Sequence, residues 1–423
     1  MAREVSLRRP RALWLVALAA AIPRLVVVFV ERQTILEQFV EKSDRFARTL
    51  VSSGTFGFVA GIPSAYTQPL YAFFLAGLYW PFTRSWAVVG IAQTVVAVGT
   101  ALLVFEIGRR LRSVAFGTVA ALIATLHPYL VWHDVHVNRE LLDGFLLALL
   151  TLLALLAWER RSLWLALAAG GVSGLAILGN SRLVLLPILV AAYVAWPRRA
   201  LLVGLATLIA AAVVVAPWVI RNKADIGCFA ITTDARALWK ANNPNTYGVL
   251  AKGQWIDDVP ELRGAPPWPE KAASLHPPLR VDECAQMRMY QDEVFDFWGD
   301  DPGEKAKLAA QATQMLWRPT LTVEADDPGR DGFAGTVRKT AEPAYMLVVY
   351  ALAIAGCFFA PRRFVALALL LMAYNTIMAM VFAGTLRYRV PFDFLLALLA
   401  ALALERAWVW ARDSFPARAS EAR

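Results

Sequence analysis

Runs of mainly apolar residues, many of them long enough to cross a membrane, recur along the chain and constrain its fold more than any other feature. A transmembrane helix needs roughly 17–25 such residues. Ten runs meet or approach this length, at 12–30, 86–108, 113–132, 140–158, 162–180, 183–197, 200–219, 341–360, 364–384 and 390–411. With 58% hydrophobic and only 18% charged residues, the chain is too apolar for a soluble protein of 423 residues. We therefore predict an all-α polytopic membrane protein with about ten transmembrane helices.

A further apolar run at 69–81 begins and ends with proline and is too short to span comfortably. We interpret it as a juxtamembrane or re-entrant helix on the outer side. The basic clusters at the N-terminus, in four short loops and near the C-terminus then all face the cytoplasm, as the positive-inside rule favours. Were 69–81 to span, every basic loop from Arg109 onward would face outward instead.

This topology divides the chain into four parts. They are an N-terminal membrane module (1–219) with an outer loop at 31–85, an extracytoplasmic segment (220–340), C-terminal membrane helices (341–411) and a cytoplasmic tail (412–423) that we expect to be disordered. Residue spacing predicts helices near 39–50, 283–298 and 302–317 in the outer parts. The predicted location is a bacterial plasma membrane with both termini cytoplasmic.

Several classes of function lack support in the sequence. The net charge of +9 lies in short loops between apolar runs, which indicates topology and not nucleic-acid binding. No nucleotide-binding motif is present. The three scattered cysteines, Cys228, Cys284 and Cys357, predict neither a disulfide framework nor a zinc site. The residues at 327–332 lack ligands that a calcium loop needs.

Histidines His127, His133 and His136 have no companion ligand pattern elsewhere in the sequence, so we favour a structural or supporting role for them over metal binding.

Two carboxylates at the predicted outer surface are candidates for catalysis, Asp44 in the first outer loop and Glu140 at the start of a span. Such a group can take a proton from an acceptor hydroxyl or hold a positive charge. The alternative is that they are solvated charges paired with neighbouring arginines. Asp134 and Asp143 compete with Glu140, and Asp143 lies deep enough to need a partner.

Arginines at the outer ends of spans run against the positive-inside rule and suggest a bound anion such as a lipid phosphate. The guanidinium group is a planar fork suited to phosphate, and a tyrosine can add a hydrogen bond. The alternative is that these residues anchor the protein at the membrane interface. The candidates for substrate binding are Arg182, Arg221, Arg387, Tyr388 and Arg389, and Arg24 can snorkel outward to join them.

Together and in order, several motifs resemble the GT-C superfamily of membrane glycosyltransferases, in particular the bacterial family 39 or mannosyltransferase-like group that uses polyprenyl-phosphate sugars. The resemblance covers most of the chain. The motifs are the acidic loop from Asp44 to the Pro-Leu-Tyr at 69–71, Asn-Arg-Glu at 138–140, Ala-Pro-Trp-Val-Ile-Arg-Asn at 216–222, the loop at 238–248 and Arg-Tyr-Arg-Val-Pro at 387–391. The first loop departs from the family pattern, which leaves open whether Asp44 or Glu41 is the key acid and whether a divalent cation takes part. No other cofactor is implied.

The resemblance implies transfer of a sugar from a polyprenyl-phosphate donor to an acceptor hydroxyl on a glycan, lipid or protein at the periplasmic side. Arg387, Arg389 and Arg221 would hold the phosphate, Asp44 would act as base, and Glu140 would position the sugar or acceptor.

Two alternatives stay open. The first is a transporter or flippase of a lipid-linked sugar, which would use the same arginines. Transporters usually carry polar sites near the membrane midplane, whereas most spans of this sequence are apolar there. The second is a membrane scaffold, which would not need the acids.

Overall fold

The computed structural model describes residues 9–196, 200–320 and 335–414. The predicted inner basic loop at 198–199, the residues at 327–332 and most of the predicted tail lie outside these ranges. The described chain is helical, with no sheet and only an isolated bridge between Val59 and Ile62. The α-helices are α1 (Arg9–Glu31), α2 (Lys42–Ser53), α3 (Pro69–Phe82), α4 (Trp86–Leu111), α5 (Val114–Thr125), α6 (Pro128–His133), α7 (Glu140–Arg160), α8 (Leu163–Gly179), α9 (Leu186–Ala195), α10 (Leu201–Asp225), α11 (Ala235–Lys240), α12 (Thr246–Ala251), α13 (Pro269–Ala273), α14 (Glu283–Asp300), α15 (Pro302–Trp317), α16 (Glu342–Cys357), α17 (Arg362–Val381), α18 (Leu386–Arg389) and α19 (Asp393–Ser414). Single turns of 3₁₀ helix occur at Arg32–Leu36, Ser181–Leu183, Ile256–Asp258 and Val390–Phe392, and a π-turn occurs at Val337–Ala341.

The membrane helices follow the predicted spans closely. Seven helical segments of the described chain are long and apolar enough to cross a membrane, and three shorter apolar helices coincide with the remaining predicted spans. Large apolar side chains such as Trp14 and Val30 point outward, which suits a lipid environment. The predicted all-α polytopic fold is confirmed.

One predicted span is broken into two helices. The apolar run at 113–132 forms α5 up to Thr125 and then α6 from Pro128. Proline cannot donate the backbone hydrogen bond that would continue α5, whereas it suits the first turn of a new helix. The His127 ring accepts a hydrogen bond from the Tyr129 amide and so caps α6. The break brings α6 and its histidines next to the start of α7.

The C-terminal helix α19 lies at the centre of the bundle. Every residue from Asp393 to Ala403 is buried. Close helix packing depends on glycine at Gly356 of α16, where a Cβ atom would lie 1.9 Å from the carbonyl oxygen of Leu399. This central position fixes the residues that immediately precede α19, which include Arg387 and Arg389.

Two loop regions cover one end of the bundle. Loop A (residues 32–85) contains α2 and α3, and loop B (residues 226–320) contains α11 to α15. At 14 residues, α3 is about 21 Å long, which is short of the roughly 30 Å hydrocarbon core. The predicted helices at 283–298 and 302–317 correspond to α14 and α15.

Contacts between the two loops are specific. Lys42 forms an ion pair with Asp234, and Thr233 donates from its backbone amide to the Ala65 carbonyl oxygen at 2.9 Å. The buried Glu283 carboxylate accepts hydrogen bonds from the Ala65 amide at 2.9 Å and from the Thr233 hydroxyl at 2.6 Å. Loop B is therefore docked on loop A through both backbone and side chains.

The prediction that the cysteines form no disulfide is wrong. Cys228, just after α10, is bonded to Cys284 at the start of α14, with Cα atoms 6.0 Å apart. The two residues are 56 positions apart, so their spacing gave no local signal. Cys357 is the free cysteine. The disulfide fixes the start of α14 to the end of α10.

Candidate functional site

Two carboxylates from distant parts of the chain meet on one guanidinium group. Arg387 donates from Nε to Glu140 Oε1 at 2.6 Å, and its Nη2 is hydrogen bonded to Glu41 Oε1. Glu41 precedes α2 in loop A, Glu140 is the first residue of α7, and Arg387 lies in the short helix α18 before the central helix. The cluster thus joins loop A, the membrane helices and the C-terminal part of the chain.

Arg139 and Gln68 complete the edge of this cluster. Arg139 Nε lies 3.9 Å from both Glu41 Oε1 and Glu140 Oε1, and its Nη1 donates to Gln68 Oε1 at 2.8 Å. Gln68 in turn donates from Nε2 to the Ser181 hydroxyl at 3.0 Å. Gln68 was not singled out in the sequence, because a glutamine before a proline-initiated helix carries no signal of its own.

Beside these acids lies a narrow cleft. Polar side chains from four parts of the chain line it. They are Glu140 and Asp143 from α7, Asn180 and Arg182 from the segment between α8 and α9, Tyr374 and Asn375 from α17, and Tyr388 from α18. The cleft therefore combines carboxylate, amide, hydroxyl and guanidinium groups next to Arg387 and Glu140.

Arg182 is buried in this cleft with an unpaired charge. Neither Nη1 nor Nη2 has a hydrogen-bond partner within the described chain, although the residue is only 7% exposed. Its guanidinium carbon lies 3.9 Å from the centre of the Tyr388 ring, a cation–π contact. The backbone is held in place because Tyr374 Oη donates to the Arg182 carbonyl oxygen at 2.5 Å. A buried cation that has no hydrogen-bonded anion is costly, so Arg182 is a candidate anion-binding residue.

Asp143 also keeps an unused oxygen in the cleft. Its Oδ2 accepts a hydrogen bond from Asn180 Nδ2 at 2.8 Å, which supplies the partner that the sequence indicated it would need. Its Oδ1 has no hydrogen-bond partner in the described ranges. A hydroxyl-rich ligand such as a sugar can donate to such an oxygen.

Asp44 lies apart from the cluster and serves a different network. Its Oδ1 accepts hydrogen bonds from Tyr79 Oη at 2.7 Å and from Arg84 Nε at 2.9 Å, and its Oδ2 lies 3.1 Å from Arg48 Nε. Burial and the Asp44 carboxylate both raise the pKa of the Tyr79 hydroxyl. Of the two acids that the sequence left open, Glu41 is the one that lies beside Arg387 and Glu140.

Three further arginines of the sequence prediction are held by other partners. Arg389 pairs with Asp393 at 3.0 Å and donates to the Leu316 carbonyl oxygen at 3.2 Å. Arg221 pairs with Asp225 at 2.9 Å and donates to the Ser64 carbonyl oxygen at 3.0 Å. Arg24 does not snorkel outward: it is 2% exposed and pairs with Asp134 at 2.7 Å. The structure brings Arg182, Arg387 and Tyr388 to the Glu140 cleft, and not these three.

A metal ion has no evident ligand set here. Across residues 9–196, 200–320 and 335–414, no group of three or more His, Cys, Asp or Glu side chains is arranged to hold one. The charge between Glu41 and Glu140 is supplied by Arg387. No step below is routed through a metal.

Comparison with known proteins gives this geometry a context. Residues 66–220 match the family of dolichyl-phosphate-mannose-protein mannosyltransferases. The whole fold resembles the apo oligosaccharyltransferase of Archaeoglobus fulgidus, with a TM-score of 0.55 and 13% identity over 96% of this chain and 52% of that one. The chain has the GT-C fold. This confirms the superfamily resemblance carried by the sequence motifs.

Two further structures resemble this GT-C chain. One is the A. fulgidus oligosaccharyltransferase AglB in complex with an inhibitory peptide and a dolichol-phosphate (TM-score 0.53, 14% identity, 96% of this chain and 52% of that one). The other is ArnT from Cupriavidus metallidurans bound to undecaprenyl phosphate (TM-score 0.43, 15% identity, 95% and 79%). The GT-C chain spans about half the length of the oligosaccharyltransferase. No curated protein sequence matches it.

Proposed function

We propose that this chain is a membrane glycosyltransferase that moves a sugar from a polyprenyl-phosphate donor to an acceptor hydroxyl. The observation that carries the proposal is the pairing of two acids on Arg387 directly beside the unpaired guanidinium of Arg182. Support for the donor class comes from the mannosyltransferase family match and from the fold shared with an oligosaccharyltransferase that binds dolichol-phosphate.

Arg182 is the residue best suited to hold the carrier phosphate. Both of its terminal nitrogens are free to make the parallel hydrogen bonds that a phosphate group accepts. The guanidinium of Arg387 is already shared by two carboxylates, and those of Arg389 and Arg221 are paired with aspartates. Tyr388 holds the Arg182 guanidinium by its ring face, so the cation is oriented before the phosphate arrives.

Glu41 is the better base of the two acids on Arg387. Its side chain is 12% exposed, compared with 1% for Glu140, and it belongs to loop A, from which an acceptor can approach. Glu41 would remove the hydroxyl proton as the acceptor oxygen attacks the anomeric carbon. The bond from that carbon to the phosphate oxygen breaks, and its electron pair leaves with the phosphate, whose growing charge Arg182 stabilises.

Glu140 and Asp143 would position the sugar. Glu140 Oε2 and Asp143 Oδ1 both lie on the cleft without a full set of hydrogen-bond partners. Sugar hydroxyls can donate to both, which would place the anomeric carbon between the phosphate at Arg182 and the base. Arg387 holds Glu41 and Glu140 in this arrangement.

We place the site on the periplasmic side of a bacterial plasma membrane, with both chain termini cytoplasmic. Two observations support this orientation. The Cys228–Cys284 disulfide lies in loop B on the site's side of the bundle, and disulfides persist in oxidising compartments. At the opposite ends of the helices lie basic residues such as Arg109, Arg110 and Arg363, as the positive-inside rule favours.

The test is transfer of label from radiolabelled polyprenyl-phosphate sugars by the purified full-length protein in membranes. Wild type should transfer label for at least one sugar in a panel, and Glu41→Gln and Arg182→Ala should each reduce transfer by at least a hundredfold. Exposed residues provide the matched controls, Glu37→Gln and Arg280→Ala, which should behave as wild type. Movement of the labelled donor across the membrane without any transfer would replace this proposal with a lipid-linked sugar transporter.

A further inference from the structure

His133 faces the one oxygen of Glu140 that Arg387 does not bind. Its Nε2 lies 3.4 Å from Glu140 Oε2, while Arg387 binds Oε1. Both side chains are almost fully buried, with 5% of His133 and 1% of Glu140 exposed. The break between α5 and α6 makes this contact, because His133 ends α6 and only six residues separate it from α7.

The neighbouring amide determines which nitrogen of His133 carries the proton. Asn138 Nδ2 lies 3.5 Å from His133 Nδ1. An amide NH₂ group can only donate, so Nδ1 must accept, and the proton of the neutral imidazole is assigned to Nε2. Nε2 is also the ring nitrogen next to Glu140 Oε2, and neither of these two buried atoms has a hydrogen-bond partner within the described chain.

The plane of the ring is fixed as well. The buried Tyr129 ring stacks on the His133 ring with centres 4.8 Å apart and an angle of 29° between the planes. A stacked ring cannot rotate freely about its side-chain bond. The Nε2–H group is thus held in the direction of Glu140 before any substrate binds.

We infer that His133 is a positioning residue that acts through Glu140. The two atoms lie 3.4 Å apart, so a small side-chain rotation lets Nε2–H donate to Oε2. That bond would hold the carboxylate so that Oε1 stays on Arg387, which in turn holds Glu41. Loss of this donor would let Glu140 rotate and would loosen both acids. The predicted effect on rate rests on the proposed function, whereas the hydrogen bond itself does not.

Two substitutions at His133 separate this role from simple filling of space. Glutamine places its Nε2 amide near the position of the imidazole Nε2, whereas asparagine is shorter and mimics only Nδ1. We expect His133→Gln to keep kcat within about threefold of wild type. His133→Asn should lower kcat by about tenfold to a hundredfold, the usual effect of a lost hydrogen bond to a charged group, with little change in the donor KM. The exposed His276→Asn is the matched control.

A double mutant tests whether the effect passes through Glu140. In a Glu140→Gln background, His133→Asn should cause less than about a threefold further loss, because residues that act as a unit are not additive. Equal losses for His133→Gln and His133→Asn, or full additivity with Glu140→Gln, would overturn the inference.

A measurement without turnover distinguishes failure of this inference from failure of the proposed function. ¹⁵N NMR of histidine-labelled protein in nanodiscs, with His133 assigned from its absence in the His133→Asn sample, reports the tautomer directly. We expect a ring protonated at Nε2, whose Nε2 signal moves in Glu140→Gln. A proton on Nδ1, or an Nε2 signal insensitive to Glu140→Gln, would overturn the positioning role even if transfer is observed. The expected signals in a protein that transfers no sugar would refute the enzyme and leave the hydrogen bond standing.

Discussion

Tyr79 donates its hydroxyl proton to Asp44 Oδ1 across 2.7 Å, and this bond joins the two helices of loop A, α2 and α3. Arg84 binds the same oxygen at 2.9 Å and also donates to the Leu36 carbonyl oxygen at 2.7 Å. Asp44 is 2% exposed. A buried carboxylate whose partners are Tyr79, Arg84 and Arg48 favours a structural role, because these contacts occupy its oxygens.

We therefore expect Asp44→Asn to reduce stability and to leave chemistry largely intact. Loss of a buried charged hydrogen-bond acceptor costs about 1–3 kcal/mol, so thermal melting in detergent should shift down by several degrees. Sugar transfer measured well below the melting temperature should stay within about fivefold of wild type. Glu41→Gln should show the opposite, with near-normal melting and transfer reduced at least a hundredfold. Normal melting combined with abolished transfer in Asp44→Asn would return the role of base to Asp44.

Replacing Arg182 should remove phosphate binding without lowering the stability of the protein. In the absence of an anion its buried guanidinium has no partner, so Arg182→Met should melt at the same temperature as wild type or higher. Added polyprenyl phosphate should raise the melting temperature of wild type, since a ligand that binds the folded state stabilises it. It should not raise that of Arg182→Met. Arg280→Met is the control and should keep the shift; an equal shift in Arg182→Met would place the phosphate elsewhere.

The residues three and four positions from each arginine are more informative than the position of the arginine at the outer end of a span. Arg221 and Arg389 each have an aspartate four residues further along, Asp225 and Asp393, and that spacing pairs side chains on one helix face. Arg182 and Arg387 have no acid three or four residues away on either side. Removing locally paired arginines from the list would have left Arg24, Arg182 and Arg387, of which Arg182 lines the cleft and Arg387 binds Glu140 beside it.

Other parts of the site could not be read from local patterns. The spans were predictable because an apolar run and its length are local properties, and α15 was predicted to the residue for the same reason. Glu41 and Asp44 are only three residues apart, and their roles differ because Arg387 and Tyr79 come from distant parts of the chain. The pairing of Cys228 with Cys284 likewise depends on how loop B folds back on α10.

The disulfide predicts how loop B responds to reduction. Closing a loop of 56 residues removes about 4 kcal/mol of chain entropy from the unfolded state in the entropic account. Cys228→Ser with Cys284→Ser, or wild type with a reductant, should make loop B more sensitive to limited proteolysis. Transfer should also fall, because loop B holds loop A through Ala65 and through Lys42, the residue that follows Glu41. Cys357→Ser is the control; equal proteolysis of all three proteins would show that the disulfide is dispensable for docking.

Lys305 gives loop B a predictable dependence on pH. Burial lowers the pKa of this lysine to about 8, and its ammonium group donates to the Met380 carbonyl oxygen at 2.7 Å where α15 packs on α17. Its pKa in an unfolded chain is about 10.4, so between these two values the unfolded state binds more protons than the folded state. The free energy of unfolding should therefore rise with pH from about 8 toward 10, by the linkage relation.

Resistance of α15 to proteolysis, measured from pH 7 to pH 9.5, provides the test. Wild type should become more resistant across this range, and Lys305→Met should lose most of that increase because it removes the group that is costly to bury when charged. The exposed Lys307→Met, two residues along the same helix, controls for charge and should keep the wild-type profile. A Lys305→Met profile parallel to wild type would assign the pH dependence to other groups. The expected profile would show that the packing of α15 on α17 becomes more stable, relative to the open state, when Lys305 gives up its proton.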